Sequence, residues 1–121
     1  MSGNTYSTLS EFQALRRRLL ELDAQDKRSH YRHALQKAQD IAAMLKTDYG
    51  VRQVYLYGSL AWGGFDQSSD IDLCLVGFSG NYWNAFSEAE DLASPIEVSL
   101  ACWEDCVASL QEKIIKQGVL L

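Results

Sequence analysis

Between Glu11 and Leu22 the apolar residues fall at Phe12, Leu15, Leu19 and Leu22, steps of three and four that predict an amphipathic helix. A second stripe, Ala34, Ala38, Ile41, Ala42 and Leu45, carries the same period, so Thr8 to Lys46 reads as helix. The polar stretch from Asp23 to Arg32 is either a break between two helices or a continuous pair of exposed turns. Gly50 is a plausible helix stop. Val51 to Tyr57, rich in valine and tyrosine, reads as a strand. Ser59 to Trp62 opens a short helix that Gly63 and Gly64 end, and Phe65 to Ser69 is a turn. A second strand is expected over Asp70 to Val76, with Ile71, Leu73 and Leu75 on one face.

Beyond the Gly77 to Asn81 loop, Tyr82 to Leu92 has helical periodicity. Pro95 introduces a third strand, Ile96 to Ala101, and a last helix is expected from Cys102 to Gln117. Val107, Leu110, Ile114 and Ile115 would form its buried stripe, and Gly118 its stop. Helices, strand, strand, helix, strand, helix is the order of an α+β domain with one small mixed sheet packed against helices.

The 121 residues give room for one compact domain. No apolar run approaches the ~18 residues that span a bilayer, and Met1 to Ser10 lacks the basic and apolar regions of a signal peptide. A cytoplasmic protein is the simplest expectation. Three cysteines agree with it: the count is odd, the spacing is no disulfide framework, and Cys102 with Cys106 has no nearby cysteine or histidine to complete a zinc set. Charge is uneven. Residues 1–52 carry nine of the eleven Lys and Arg against six acids, and residues 53–121 carry two against ten. So acidic a second half argues against a nucleic-acid groove there. The basic first half reads as a solvated helix surface, or as a face for a nucleotide tail or an acidic partner.

The chemistry gathers between the first two strands. Gly58-Ser59 leaves the first strand, and ten residues later Asp70-Ile71-Asp72 opens the second. Strand side chains alternate, so Asp70 and Asp72 project from one face with backbones about 6.5–7 Å apart. Two such carboxylates repel unless a cation lies between them, and hard oxygen ligands suit Mg²⁺. Gly58 lets backbone approach a phosphate, and amides opening the following short helix point at anions. Ser59 adds a hydroxyl donor. Glu97, alone in an apolar strand, would reach the same face if the third strand lies beside the second. Three acids then converge on one or two cations, as metal-assisted phosphoryl or nucleotidyl transfer requires.

Tyr57-Gly58-Ser59-Leu60-Ala61-Trp62-Gly63 and Ser69-Asp70-Ile71-Asp72-Leu73 together resemble the signature of the DNA polymerase beta-like nucleotidyltransferases. Length and layout resemble the smallest branch, the minimal nucleotidyltransferases, from about residue 34 to the end. Glu112 to Leu121 is similar to the family's closing segment. The resemblance implies a nucleotidyltransferase domain at 34–121 behind an N-terminal helical extension at 1–33. It implies phosphate binding by Gly58 and Ser59 and metal binding by Asp70 and Asp72. Glu97 stands at the third acid, where the family often has aspartate, and its extra methylene suits a base as much as a tight ligand. Because members act as antitoxins, the resemblance implies Mg²⁺-dependent transfer of AMP from ATP to a tyrosine of a separately encoded HEPN ribonuclease toxin.

Other readings stay open. A docking-only antitoxin needs no catalysis, a nucleotide-sensing module needs no turnover, and a small-molecule acceptor would need a domain for which no residues remain. Arg28 and His33 resemble the HEPN ribonuclease motif, but strands in the second half do not suit that all-helical fold, so His30 and His33 read as surface helix residues. The aromatics Tyr55, Tyr57, Trp62, Phe65, Tyr82 and Trp83 crowd the candidate site, as core packing or as a platform for a base. Trp62 and Phe65 lie inside its loop.

Overall fold

In the computed structural model, which describes residues 9–66 and 68–121, the first helix is continuous from Leu9 to Tyr49 (α1). There is no break across its polar stretch. Its first 20 residues and its last 15 behave differently: from Ser10 to Ser29 every side chain described is exposed, and Ala34 is the first buried one. The stripe of Phe12, Leu15, Leu19 and Leu22 is therefore left exposed among the described residues, contrary to the usual fate of an amphipathic face. The second stripe, Ala34, Ala38, Ile41, Ala42 and Leu45, is buried as its period predicts.

Next come strand β1 (Gln53–Tyr57), the single turn α2 (Ser59–Trp62), strand β2 (Ile71–Val76), helix α3 (Tyr82–Ala93) and strand β3 (Val98–Cys102). A 3₁₀ turn (Trp103–Asp105), helix α4 (Ala108–Gln117) and the two-residue strand β4 (Val119–Leu120) complete the chain. The sheet runs β3-β2-β1-β4; β1 is antiparallel to both neighbours, and β2 pairs parallel with β3 across the α3 connection. This is the mixed α+β architecture expected from the order of elements.

One face of the sheet, with Val54, Leu56, Ile71, Leu73, Leu75, Val98 and Leu100, meets α1 and α3 in the core. Both helices turn alanines inward. Ala34, Ala38 and Ala42 on one and Ala85, Ala89 and Ala93 on the other recur every four residues, which lets the two helices approach closely over the sheet. Lys37 adds a clamp, its ammonium donating to the carbonyls of Ala93 and Ser94 at 3.2 and 2.6 Å.

The C-terminal segment departs from its sequence pattern. β3 extends through Cys102, and Glu104 and Asp105 sit in the 3₁₀ turn instead of opening the last helix. Gln111 donates to Trp103 O at 2.7 Å and holds that turn against α4, which begins only at Ala108. Of the expected stripe Ile114 is buried and Leu110 half-buried, whereas Val107 and Ile115 are exposed. Gly118 ends the helix, and its reason is space. A Cβ there would stand 2.5 Å from Ile114 O and 3.0 Å from Leu56 O, so the chain can pass from α4 into β4 beside β1 only without one. Leu121 N donating to Val54 O (2.9 Å) and Lys46 Nζ donating to Leu121 O (2.6 Å) then secure the end. Among the described residues no helix is long and apolar enough to cross a membrane.

Gly118→Ala is expected to lower unfolding free energy by about 1–3 kcal/mol, the usual cost of forcing atoms into packed surroundings. Both neighbours are backbone and cannot rotate away. Urea denaturation followed by circular dichroism measures it, and an unchanged midpoint would contradict the account.

Candidate functional site

Burial of Ile71, Leu73 and Leu75 on the core face of β2 sends the intervening residues to the other face. Asp72 sits there, half-buried, directly opposite Tyr57 on β1 and Ser99 on β3. Asp70 lies one residue before the strand and is exposed. Each has the alternation its spacing predicts.

Gly58 closes the arrangement. Its backbone is left-handed (φ +76°), and a Cβ at this position would overlap the Asp72 carboxylate. The Gly-Ser turn and the second aspartate, fourteen positions apart in sequence, are thus in contact only because residue 58 has no side chain. Gly58 O accepts from the amides of Ala61 and Trp62 at 3.0 and 3.1 Å, which makes α2 start at Ser59.

Glu97 precedes β3 and is exposed. Its carbonyl accepts from Ile71 N at 2.9 Å, so the backbones of residues 70 and 97 run side by side at the edge of the sheet. Asp70 and Glu97 line one open cleft of about 460 Å³, together with Ser69 and His30. Among the described residues no three acidic, histidine or cysteine side chains are already gathered as a metal-holding group. The charge of Asp70 reaches the Asp72 carboxyl, and Glu97 shares its cleft with Asp70 and not with Asp72.

The Asp70–Asp72 pair suits a divalent cation. Among the described residues neither carboxylate has a hydrogen-bond or ion-pair partner. Burial first, and then the charge of Asp70, raises the Asp72 carboxyl above its ordinary value. Tyr57, beside it in the sheet, is pushed up to about 12 by burial and then by Asp72. A half-buried carboxylate with a second acid beside it is what a hard cation relieves.

The loop between the motif halves is well tied. Asp66 Oδ1 accepts from Ser68 N at 2.9 Å and from the Ser68 hydroxyl at 2.8 Å, which lowers its pKa. Phe65 is anchored on the long helix, its ring 5.2 Å from His30 in a stacked geometry and 6.3 Å from Tyr31 edge-on. Trp62 lies 6.2 Å from the Tyr57 ring, with the Lys113 ammonium 4.3 Å above it. Phe65 is thereby part of the packing. Lys113 is a contribution that sequence reading passed over, and His30, read there as a surface residue, is another. His33 is exposed as expected, but His30 is half-buried, with Nε2 out of solvent and unpartnered. A histidine about one turn before the buried stripe is the signal the sequence holds.

Comparison with known proteins follows the same lines. The polymerase beta nucleotidyltransferase family matches residues 39–121. Among solved structures, a chain from a mutant toxin–antitoxin assembly containing MntA superposes with a TM-score of 0.57 at 19% identity, covering 69% of this chain and 70% of that one. A toxin–antitoxin crystallised with AMP-PNP gives 0.56 at 21% identity over 67% and 69%. A protein described as a minimal nucleotidyltransferase gives 0.50 at 20% identity, covering 98% of this chain and all of its own. At these identities the likeness is one of fold. No curated protein sequence matches the chain.

A carboxyl whose pKa rises on folding stabilises the fold while it is protonated, and that contribution is lost as pH climbs through the folded-state value. Asp72→Asn is therefore expected to raise Tm at pH 7 in cation-free buffer and to leave it nearly unchanged near pH 3, below the unfolded-state value of about 3.9. Added Mg²⁺ should raise the Tm of the native chain and not of the variant. Equal shifts at both pH values would contradict the assignment.

Proposed function

The chain belongs to the polymerase beta nucleotidyltransferase family, and from that premise we propose that it transfers AMP from ATP to a hydroxyl, a tyrosine, of a HEPN ribonuclease toxin, as that toxin's antitoxin. The observation that carries the reading is the contact between Gly58 and the Asp72 carboxylate, which sets a side-chain-free turn beside a pair of uncompensated acids. Triphosphate and metal need that juxtaposition.

In this reading the amides that open α2 and the Ser59 hydroxyl hold phosphate oxygens, and Gly58 admits them without steric contact. Asp70 and Asp72 hold Mg²⁺, which supplies neutralisation of the triphosphate charge and a lower pKa for the attacking hydroxyl. Glu97, from the adjoining strand, is suited to accept the hydroxyl proton or to complete a second Mg²⁺ site. The domain at 34–121 carries this chemistry, with residues 1–33 as an extension. The open cleft at Asp70 and Glu97 offers room for an acceptor presented by another protein.

Docking without catalysis is the second reading, and the exposure of Glu97 outside any ready three-acid group favours it. The two separate cleanly. With Mg²⁺, ATP labelled at the α-phosphate, and a separately encoded HEPN toxin as acceptor, label is expected on the toxin and pyrophosphate in solution. Asp70→Asn with Asp72→Asn should abolish labelling and relieve neither toxicity nor binding by docking; a double variant that still neutralises the toxin in cells establishes docking. Gly58→Ala should reduce transfer by about 100-fold or more with an unchanged circular dichroism spectrum, as displaced catalytic groups do. Full activity in that variant would remove the main support for the site.

A further inference from the structure

The exposed half of α1 carries a face that the domain leaves uncovered. Phe12, Leu15, Leu19 and Leu22 are 66, 56, 57 and 53% exposed, and they lie on one side of a helix that runs about 30 Å from Ser10 to Ser29. Their steps of three, four and three are the seam positions of a two-heptad coiled coil, with Phe12 and Leu19 at a and Leu15 and Leu22 at d. Beyond Leu22 the sequence gives Asp26, Ser29 and His33 at the same positions, so the seam ends there. It ends just before His30 and Tyr31, where the helix meets its own domain through Phe65.

The flanking charges select the occupant. Arg16 and Arg18 border the seam at e and g, and Glu11 stands at the preceding g. In a parallel pair each g residue faces the e residue five positions later on the other helix. Glu11 then faces Arg16, and the sequence repeats the step with Arg18 and Asp23. Both pairs are opposite in charge. In an antiparallel pair centred on the same four apolar residues, Arg16 faces Arg16 and Arg18 faces Arg18, two repulsions instead of two attractions. We propose that the free arm of α1 is a parallel coiled-coil surface whose partner is a second copy of this chain, joined over Phe12, Leu15, Leu19 and Leu22. Parallel pairing puts both domains at the same end of the seam, each still held by its own His30–Phe65 stack.

The full chain tests this by sedimentation equilibrium up to about 100 µM, within the range where short interfaces are populated. The expected species has twice the 13.6 kDa mass of the chain. Leu19→Glu places a charge in the seam and should raise the dimer dissociation constant at least about tenfold. Arg16→Glu alone should weaken the dimer, and Arg16→Glu combined with Glu11→Arg should restore it, since the parallel pair is re-formed with its signs exchanged. A native chain that stays monomeric, an assembly of more than two chains, or a double variant no tighter than Arg16→Glu would each overturn the proposal. The substituted positions are all exposed on the arm, so a folded domain, checked by circular dichroism, accompanies every readout.

Discussion

The arrangement depends on the burial of one face of β2. Ile71, Leu73 and Leu75 are fully excluded from solvent beneath the alanine faces of α1 and α3, and a strand has only two faces. Asp70 and Asp72 are thereby committed to the opposite side, at a separation that backbone geometry alone sets. A slip of one residue would bury both carboxylates and expose the core. β1 and β3 register against this strand, and that register fixes what surrounds the aspartates: Tyr57 on one side, Ser99 on the other, and Gly58 directly after Tyr57. The site is a consequence of packing on the far side of the sheet.

The other face of the sheet is only partly covered, by the 3₁₀ turn and α4, and this explains the cysteines. Cys74, two residues beyond Asp72 and fully buried, is pushed up to about 12 by burial and then by the nearby Cys106. Burial first, then the acids Asp105 and Glu104, raises Cys102 as well. All three are free thiols, and Cys106 donates to Cys102 O at 3.3 Å. Surroundings that disfavour thiolate are the reverse of a metal or nucleophile environment. Cys74 is apolar filling between the sheet and its second layer, and Cys102 and Cys106 stand half-buried at its margin.

Much of this was legible in the chain because local period and turn chemistry agree with the fold. The apolar alternation of β2, the glycines that close α2 and the helical stripe from Ala34 to Leu45 each point to the element that forms. What was not legible depended on contacts distant in sequence. β4 exists because Gly118 can pass under Leu56, and two residues carry too little pattern to declare a strand. Val107 and Ile115 fit a helical stripe, yet Ile114 alone fills the available space beside β1, so the stripe is narrower than its spelling. The alternation that placed Glu97 among the acids belongs to a strand that begins only at Val98, so Glu97 lies just before it. Only the register with Ile71 fixes its distance from the pair, at the strand's edge and not over its centre. The arm of α1 is the reverse case: the sequence is amphipathic, but no period within one chain says what its apolar face meets.

The arm and the site are not independent. The loop from Gly63 to Ser69 joins the phosphate-side turn to the aspartates, and its one large apolar residue, Phe65, is seated on His30 and Tyr31 at the base of the arm. His30 itself lines the cleft that holds Asp70 and Glu97, its Nε2 without a partner. The long helix is then more than a layer of the core: its buried stripe covers the sheet that orients the aspartates, and just before that stripe His30 and Tyr31 seat the intervening loop through Phe65.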